Sequence, residues 1–445
     1  MSVSVLADLL EFTRDGEWGK GEPDAGLVEV GIIRGTDFSN VRYGDLSSIP
    51  KRYVRSSVVE KKKLRSGDVL IETAGGTKDQ LTGRSVFLNE SIFRGSERPL
   101  LCASFARFLR IREGSADARY IFWKLQDEYI REELLPFHVQ HTGVARFQYT
   151  QFATTHALEL PDSLDEQEEI GSVLSALDDK IELNRRTNET LEALAQAIFK
   201  DWFVDFGPTR RKHEGVTDPV AILGGLITDP AKAVALAGLF PDRFGDDGLP
   251  EGWEDKGLNE VAEFLNGVAL QKFPPTGDDD LPVIKIAELR GGITTKTNLA
   301  NRSIADKYLI KDGDFLFSWS GSLMAKFWTE GEGALNQHLF KVSSATHPRW
   351  FYSQWVHHHL PEFQTIAASK ATTMGHIQRG HLSAARVIAP PEPMLGAMTE
   401  IIESLVERTI HNDLENRTLA ETRDYLLPKL MSGEVRMRNA EKLVE

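Results

Sequence analysis

The sequence predicts two globular domains of α/β (α+β) type, joined by two long helices that form an antiparallel coiled coil, with an internal pseudo-twofold repeat. Three observations carry this expectation. Residues 165–203 form a long helical stretch with no proline and no glycine after Gly171. Residues 394–430 repeat its apolar pattern. The segments before each helix also recur at nearly the same offset. A chain of 445 residues is too long for one core, so several domains are expected.

The first helix reads DEQEEIGSVLSALDDKIELNRRTNETLEALAQAIFKDWF. Ile170, Leu174, Leu177, Ile181, Asn184, Asn188, Leu191, Ala195, Ile198 and Trp202 follow alternating steps of four and three. That spacing is the seam of a coiled coil. Asp165 or Ser163 can cap its start, and Gly207-Pro208 lies beyond its end. About 36 helical residues would span roughly 54 Å, so the rod needs a partner of similar length.

The partner seam is Met398, Ile402, Leu405, Thr409, Asn412, Asn416, Leu419, Arg423, Leu426 and Leu430. Each position lies 228 residues after its counterpart. Asn184 and Asn188 therefore recur as Asn412 and Asn416. A buried asparagine weakens a coiled coil but penalises wrong registers, because its amide must find a partner. These four residues are expected to set the register.

The repeat extends upstream. HTGVARFQYTQFATTHALELP, from His141, answers ATTMGHIQRGHLSAARVIAPP, from Ala371, so that Gln148 matches Gln378. LRSGDVLIETAGG answers IKDGDFLFSWSGS, each a turn, a buried strand and a small-residue loop. RYIFWKLQDEYI answers RWFYSQWVHHHL, two aromatic-rich amphipathic helices. The expected plan is a first domain (1–162), a first spacer helix (163–204) and a linker (205–248). A second domain (249–393), a second spacer helix (394–435) and a tail (436–445) follow. The linker reads as loops at Gly207-Pro208, Gly224-Gly225 and GDDG, interrupted by one short Ala-rich helix. Two such helices can pair antiparallel, and a rod of roughly 50 Å exceeds one ~34 Å turn of B-DNA.

Composition narrows the function classes. The net charge of -14 argues against nucleic-acid binding by the chain as a whole. The sign is segregated, however. Residues 165–203 hold ten acidic and four basic side chains, whereas residues 42–65 hold eight basic and two acidic ones. Local field decides binding. The single cysteine, Cys102, excludes an intramolecular disulfide and a cysteine-based zinc site, and fits a reducing cytoplasm. The N-terminus lacks a signal-peptide pattern, and no apolar run reaches the ~18 residues of a membrane span.

Catalytic signatures are missing. There is no phosphate-binding G-x-x-x-x-G-K-[ST] loop. Phe273-Pro274-Pro275-Thr276 and Ala389-Pro390-Pro391-Glu392 lack the amide or carboxylate of an amino-methyltransferase motif. Asp45 with Glu60, Lys61 and Lys62 resembles a magnesium nuclease site only in composition. His357, His358 and His359 are adjacent on a helix and point in different directions, so a surface cluster is expected rather than a metal site.

The helix EQEEIGSVLSALDDKIELNRRTNETLEALAQAIFKDWF, the segment NRTLAETRDYLLPKLMSGEV, and the stretches TTMGHIQRGHL and LFPDRFGDDGLPEGW resemble the specificity (S) subunit of type I restriction–modification systems. The resemblance covers nearly the whole chain. It implies that each globular domain is a target recognition domain reading one half of a split double-stranded DNA site. It implies that the helices act as a ruler and dock two modification (methyltransferase) subunits, with restriction (endonuclease/translocase) subunits joining them. S-adenosylmethionine, ATP and Mg would then belong to those partners, with no cofactor, metal or catalysis in this chain. One departure stands out. The first domain begins SVSVLADLLEFTRDG, without the PEGW lead-in of the second. The competing readings are a tandem-repeat coiled-coil adaptor that joins proteins without DNA, and a nuclease using Asp45 and Glu60.

Base readout needs Arg or Lys for guanine and Asn or Gln for adenine, carried on loops that can approach closely. In the first domain the candidates are Lys78, Gln80, Arg84, Arg146 and Gln148. In the second they are Ser320, Lys326, His376, Gln378 and Arg379. Gly75, Gly76 and Gly321 would allow close backbone approach. Recurrence of Gln148 as Gln378 fits a shared structural task as readily as base reading.

Overall fold

The computed structural model describes residues 1–75, 80–140, 143–369 and 375–436. It divides into two compact units, Met1–Glu182 with Thr418–Glu445, and Leu183–Arg417. Each mixes helix and sheet, and the division cuts across both long helices.

In the first unit, the run Val69–Glu72 is buried along its whole length. It is an interior strand, paired on both sides in a four-stranded antiparallel sheet ordered Leu10–Asp15, Ala106–Ile111, Val69–Glu72, Ser85–Phe87. A second sheet places Leu27–Ile33 between Lys51–Arg55 and Leu100–Cys102, the last pairing parallel. The amphipathic helix Ala118–Ile130 starts at Asp117, whose carboxylate accepts the Tyr120 N–H at 2.8 Å. Its buried Tyr120, Ile121 and Leu125 share a core with Val69, Ile71, Leu158 and Ile170.

The second unit repeats this wiring. Its antiparallel sheet is ordered Glu263–Asn266, Leu339–Ser343, Phe315–Ser318, Ala325–Phe327. The other sheet again contains a parallel pair, Leu281–Ile284 with Gly333–Leu335. The strand Ser2–Val5 pairs antiparallel with Ala157–Leu160, as Glu254–Gly257 pairs with Arg386–Ala389. The missing PEGW lead-in therefore leaves the first unit with its opening strand in the equivalent place.

The expected linker needs correction. Residues 205–248 fold into helices Gly207–His213, Pro219–Ile222 and Pro230–Leu239. Ile222, Leu223, Ala233, Leu236 and Phe240 are buried in one core with Trp202, Phe203 and Trp253. Each proline opens a helix, where its missing N–H costs nothing. Asp218 and Asp229 cap two of them, accepting from Ala221 N (2.8 Å) and Lys232 N (3.0 Å). Arg211 fastens the segment, donating to Asp201 Oδ2 (2.6 Å) and Ile222 O (2.7 Å). Turn residues marked the chain's direction changes, but the spaced apolar side chains between them decided its packing.

The long helices run Leu164–Phe199 and Glu392–Met431. The first ends in a π-helical turn, Lys200–Val204. Eight of its ten expected seam positions are buried, and Leu177 and Leu191 are half-buried. In the first unit, Ile170 and Leu174 share a core with Leu426 and Leu430, and Asp178 accepts from Arg423 at 2.6 Å. In the second, Ala195, Ile198 and Trp202 share a core with Met398, Ile402 and Val406. Partner numbers fall on one helix as they rise on the other, so the helices are antiparallel within each unit. Val406 and Ile410 are buried beyond the seam because the sheet domain packs on that flank as well.

The four asparagines meet inside the second unit. Asn184 Nδ2 donates to Asn416 Oδ1 (3.0 Å) and Glu415 Oε2 (2.8 Å). Asn412 Nδ2 donates to Asn188 Oδ1 (2.7 Å), and Asn188 Nδ2 donates to Asp413 Oδ1 (2.8 Å) and Thr409 O (3.1 Å). Under the 228-residue repeat, Asn184 becomes Asn412 and Asn188 becomes Asn416. The repeat thus exchanges the pair 184–416 with the pair 412–188. A slip of one turn would leave buried amides without these partners.

Candidate nucleic-acid interface

Three backbone segments converge at one end of the first unit's sheets. The extension Ala74–Gly75 pairs with Ala145–Phe147, with Arg146 opposite Ala74. Thr73 N–H donates to Phe105 O (2.8 Å), and Phe147 N–H donates to Thr73 O (2.9 Å). The turn 103–105, between the strands Leu100–Cys102 and Ala106–Ile111, is held by Ala103 N–H to Ile33 O (2.8 Å). The second unit builds the same junction. Ser320 bridges His376, Ile377 N–H donates to Trp319 O (3.0 Å), and Asn336 N–H donates to Ile284 O (3.2 Å). Gly75 and Gly321 occupy the same place with φ of 140° and 66°. That left-handed backbone is what glycine permits.

Arg146 is exposed on its strand. Gln148 and Gln378 are exposed and stand at the starts of the equivalent short helices Tyr149–Thr155 and Arg379–Ala384. The Gln148 side chain makes no capping bond. The Gln378 backbone N–H donates to His381 Nδ1 (3.0 Å). The repeat therefore fixes a position at which the amide side chain faces solvent. Gln80 and Arg379 are also exposed, and His376 is half-buried. Lys78 and Gly76 lie outside the described residues.

Three expected readers have other tasks. Arg84 forms a fork on the buried Glu72, with Nε to Oε2 at 3.0 Å and Nη2 to Oε1 at 2.7 Å. Those hydrogen bonds raise the Arg84 pKa, and burial acts against them. Ser320 is only 3% exposed, with Oγ 3.0 Å from His338 Nδ1, so its hydroxyl cannot reach a base edge. Lys326 sits within the strand Ala325–Phe327, not on the loop before it, and lines a cleft with Asp413 of the second long helix. Burial raises the pKa of Asp413, and Lys326 opposes that shift. Sequence could place these side chains near a loop. It could not show the buried carboxylate or the facing helix that holds them.

The sequence reading missed the turns 103–105 and 336–338. Ser104 and Phe105 are exposed, and Gln337 and His338 are half-buried. Both turns follow the parallel strand and precede the next sheet strand, which a search at the repeat offset could have found. Arg107 was also missed, but it is occupied by Asp15 (2.6 Å) and lies over the Tyr149 ring at 4.4 Å. Lys51, Arg55, Lys61 and Lys63 of the basic stretch are exposed and carry no ion pair among the described residues.

The remaining candidates hold no catalytic array. Asp45 accepts the Ser47 N–H (2.8 Å), and Glu60 is exposed on the helix Ser56–Lys62. Of the histidine triplet, His358 is exposed and His359 half-buried, and only His357 departs from a surface cluster. His357 packs edge-on to Phe315 (5.5 Å), and burial pushes its pKa down to about 4. His358 and His359 pack around Trp355. No group of three or more His, Cys, Asp or Glu among the described residues is arranged to hold a metal, and no described helix is long and apolar enough to cross a membrane.

Residues 250–421 match the family model of the Type I restriction modification DNA specificity domain. Over 321 residues the chain is 26% identical to the Type I restriction enzyme HindI specificity subunit of Haemophilus influenzae, covering 63% of this chain and 69% of that protein. Over 335 residues it is 25% identical to the Type I restriction enzyme MjaIX specificity subunit of Methanocaldococcus jannaschii, covering 72% and 69%. The fold matches the S subunit of a type I restriction-modification system from M. genitalium, with a TM-score of 0.56 at 12% identity, over 96% of this chain and 95% of that one.

Proposed function

We propose, for a chain that is a specificity subunit of the type I restriction–modification family, that its two units read the two halves of a bipartite double-stranded DNA site. One observation carries the mechanism. The two units share the strand order of their four-stranded antiparallel sheet, each contains segments of both long helices, and the helix register is set by asparagines that the repeat itself interchanges. In this reading the helix pair acts as the ruler between the two readers.

In the first unit the base-reading side chains are Gln80, Arg146 and Gln148. In the second they are His376, Gln378 and Arg379. Arginine suits guanine, and glutamine suits adenine. Lys51, Arg55, Lys61 and Lys63 supply phosphate contacts that position the duplex without reading it. The chain contributes recognition and placement. Two modification subunits dock on the helices and methylate adenines, using S-adenosylmethionine. Restriction subunits supply the ATP- and Mg-dependent steps in the cytoplasm.

The test is to express the chain with and without its host's methyltransferase subunits and sequence the methylome. A split motif that appears only with this chain, together with salt-dependent binding of the purified complex to that duplex, is the expected result. No change in methylation and no co-purifying methyltransferase would leave a protein-joining adaptor as the reading. Replacing residues 1–150 with those of another family member should change one half-site only. Removing one heptad from each long helix should shorten the gap between half-sites and leave both sequences intact.

A further inference from the structure

We propose that the first unit unstacks a base step in its half-site and receives the freed base on Phe105, in a cavity that Trp18 also lines. This rests on the DNA reading above and extends it to shape readout by one unit alone.

Phe105 is 59% exposed and Trp18 is 38% exposed. Both line one cavity of about 770 Å³, together with Gly75, Gln80, Arg34 and Arg84. The exposed Phe105 ring stands on a backbone that is firmly held. Its carbonyl accepts from Thr73 N (2.8 Å) and Ala74 N (3.3 Å), and the turn is closed by Ala106 N–H to Ala103 O (2.8 Å). Trp18 is also anchored, with the Arg52 guanidinium over its ring at 4.4 Å. An anchored indole and an exposed phenyl ring on a fixed turn, both lining one open cavity, suit a flat, apolar-faced guest.

The polar wall points to a nucleobase. Arg34 is clamped by Asp37 through Nε and Nη2 (2.9 and 2.8 Å), as Arg84 is by Glu72. The Arg34 fork is held in one orientation, and its Nη1 makes no hydrogen bond among the described residues. Gln80 adds an amide. Polar donors and aromatic rings lining one cavity are the chemistry that holds an unstacked base. The neighbouring exposed Arg146 places the cavity beside the reading loops. The second unit lacks this device. His338 stands where Phe105 does, half-buried and hydrogen-bonded to Ser320.

The test uses the purified complex of this chain with its co-purifying methyltransferase subunits, on duplexes carrying the methylome-defined site. 2-Aminopurine replaces each base of the site in turn, except the methylated one. One position in the first half-site should brighten several-fold on binding, and none in the second. Phe105→Ala should abolish that signal and weaken binding about five- to hundredfold. Phe105→Tyr should keep both. The thermal midpoint should not move in either variant, since the ring is exposed.

Specific binding without brightening, or brightening that survives Phe105→Ala and Trp18→Ala, overturns this proposal and leaves the DNA reading standing. Loss of methyltransferase co-purification in Phe105→Ala also overturns it, assigning the patch to a protein contact. Absence of salt-dependent binding by the unaltered complex overturns both readings.

Discussion

The two units share a chain path and differ in what fills it. Where the first sheet's central strand ends, Glu72 is buried and neutralised by Arg84, twelve residues further on. In the second unit the same strand position is Ser318. Its hydroxyl donates to Ser322 O (2.7 Å) and accepts from Met324 N (2.9 Å) across a shorter loop. The helices that pack on the sheets differ in the same sense. Ala118–Ile130 buries Lys124, Asp127 and Glu128, with His156 3.1 Å from Glu128. The matching stretch of Arg349–Ser369 offers Gln354, His357 and His358. The lesson is that backbone hydrogen bonds define this fold at the loop junction, while side-chain chemistry there is free to change. A long loop needs an ion pair at its base, whereas a short one closes on its own backbone.

The strongest challenge to that contrast is Arg84→Ala. It strands the buried Glu72 carboxylate and should cost about 3 kcal/mol or more in urea unfolding. Ser318→Ala removes neutral hydrogen bonds and should cost about 1–2 kcal/mol. Equal losses would mean that the two junctions are held alike.

The helices make a pH contrast. His357 titrates at about 4 in the folded state instead of 6.5 because it is buried. The unfolded chain therefore binds more protons between those values. Stability is full above pH 6.5 and falls as the pH drops toward 4, by up to about 3 kcal/mol. Asp127, at the matching place, has a raised pKa from burial, so its penalty is relieved as the pH falls. Unfolding midpoints between pH 7 and pH 4 should show a slope that His357→Leu flattens. An unchanged slope would remove His357 as its source.

The asparagine pairs give a smaller effect. Asn412→Ala leaves Asn188 Oδ1 without its donor and should cost about 1–2 kcal/mol. Asn188→Leu with Asn412→Leu should melt at the same temperature or higher but admit other registers, seen as extra products in cysteine cross-linking along the helices. A single product would show that the apolar seam fixes register unaided. Least of all, Gln148→Ala and Gln378→Ala should each shift stability by no more than about 0.5 kcal/mol, because both side chains are exposed. Each should relax one base of one half-site in the methylome. Relaxation of both half-sites by either change would break the independence of the two units.

Much of the architecture was legible because periodicity is a local property. The heptad steps of Ile170 to Trp202, their copy at Met398 to Leu430, and the matched asparagines specify two helices that need each other. The candidate site was less legible. Gln148, Gln378 and Arg146 could be picked as loop residues beside a repeated strand. Phe105 and His338 were harder to pick, because each sits on a three-residue turn whose neighbours come from segments distant in sequence.

Sequence alone therefore determined the repeat, the helix pair and its polar register marks, since spacing along a helix fixes which side chains share a face. Only the tertiary structure decided which polar groups are available. Arg84, Ser320 and Lys326 look like Arg146 and Gln148 when read along the chain. They differ because a buried carboxylate, a histidine ring and a facing helix come to them from elsewhere in the fold. The same holds for residues 205–248. Their turn residues announce a linker, and their burial against Trp202 and Trp253 makes them part of a core. Burial depends on what arrives from a distance, and no local pattern encodes that.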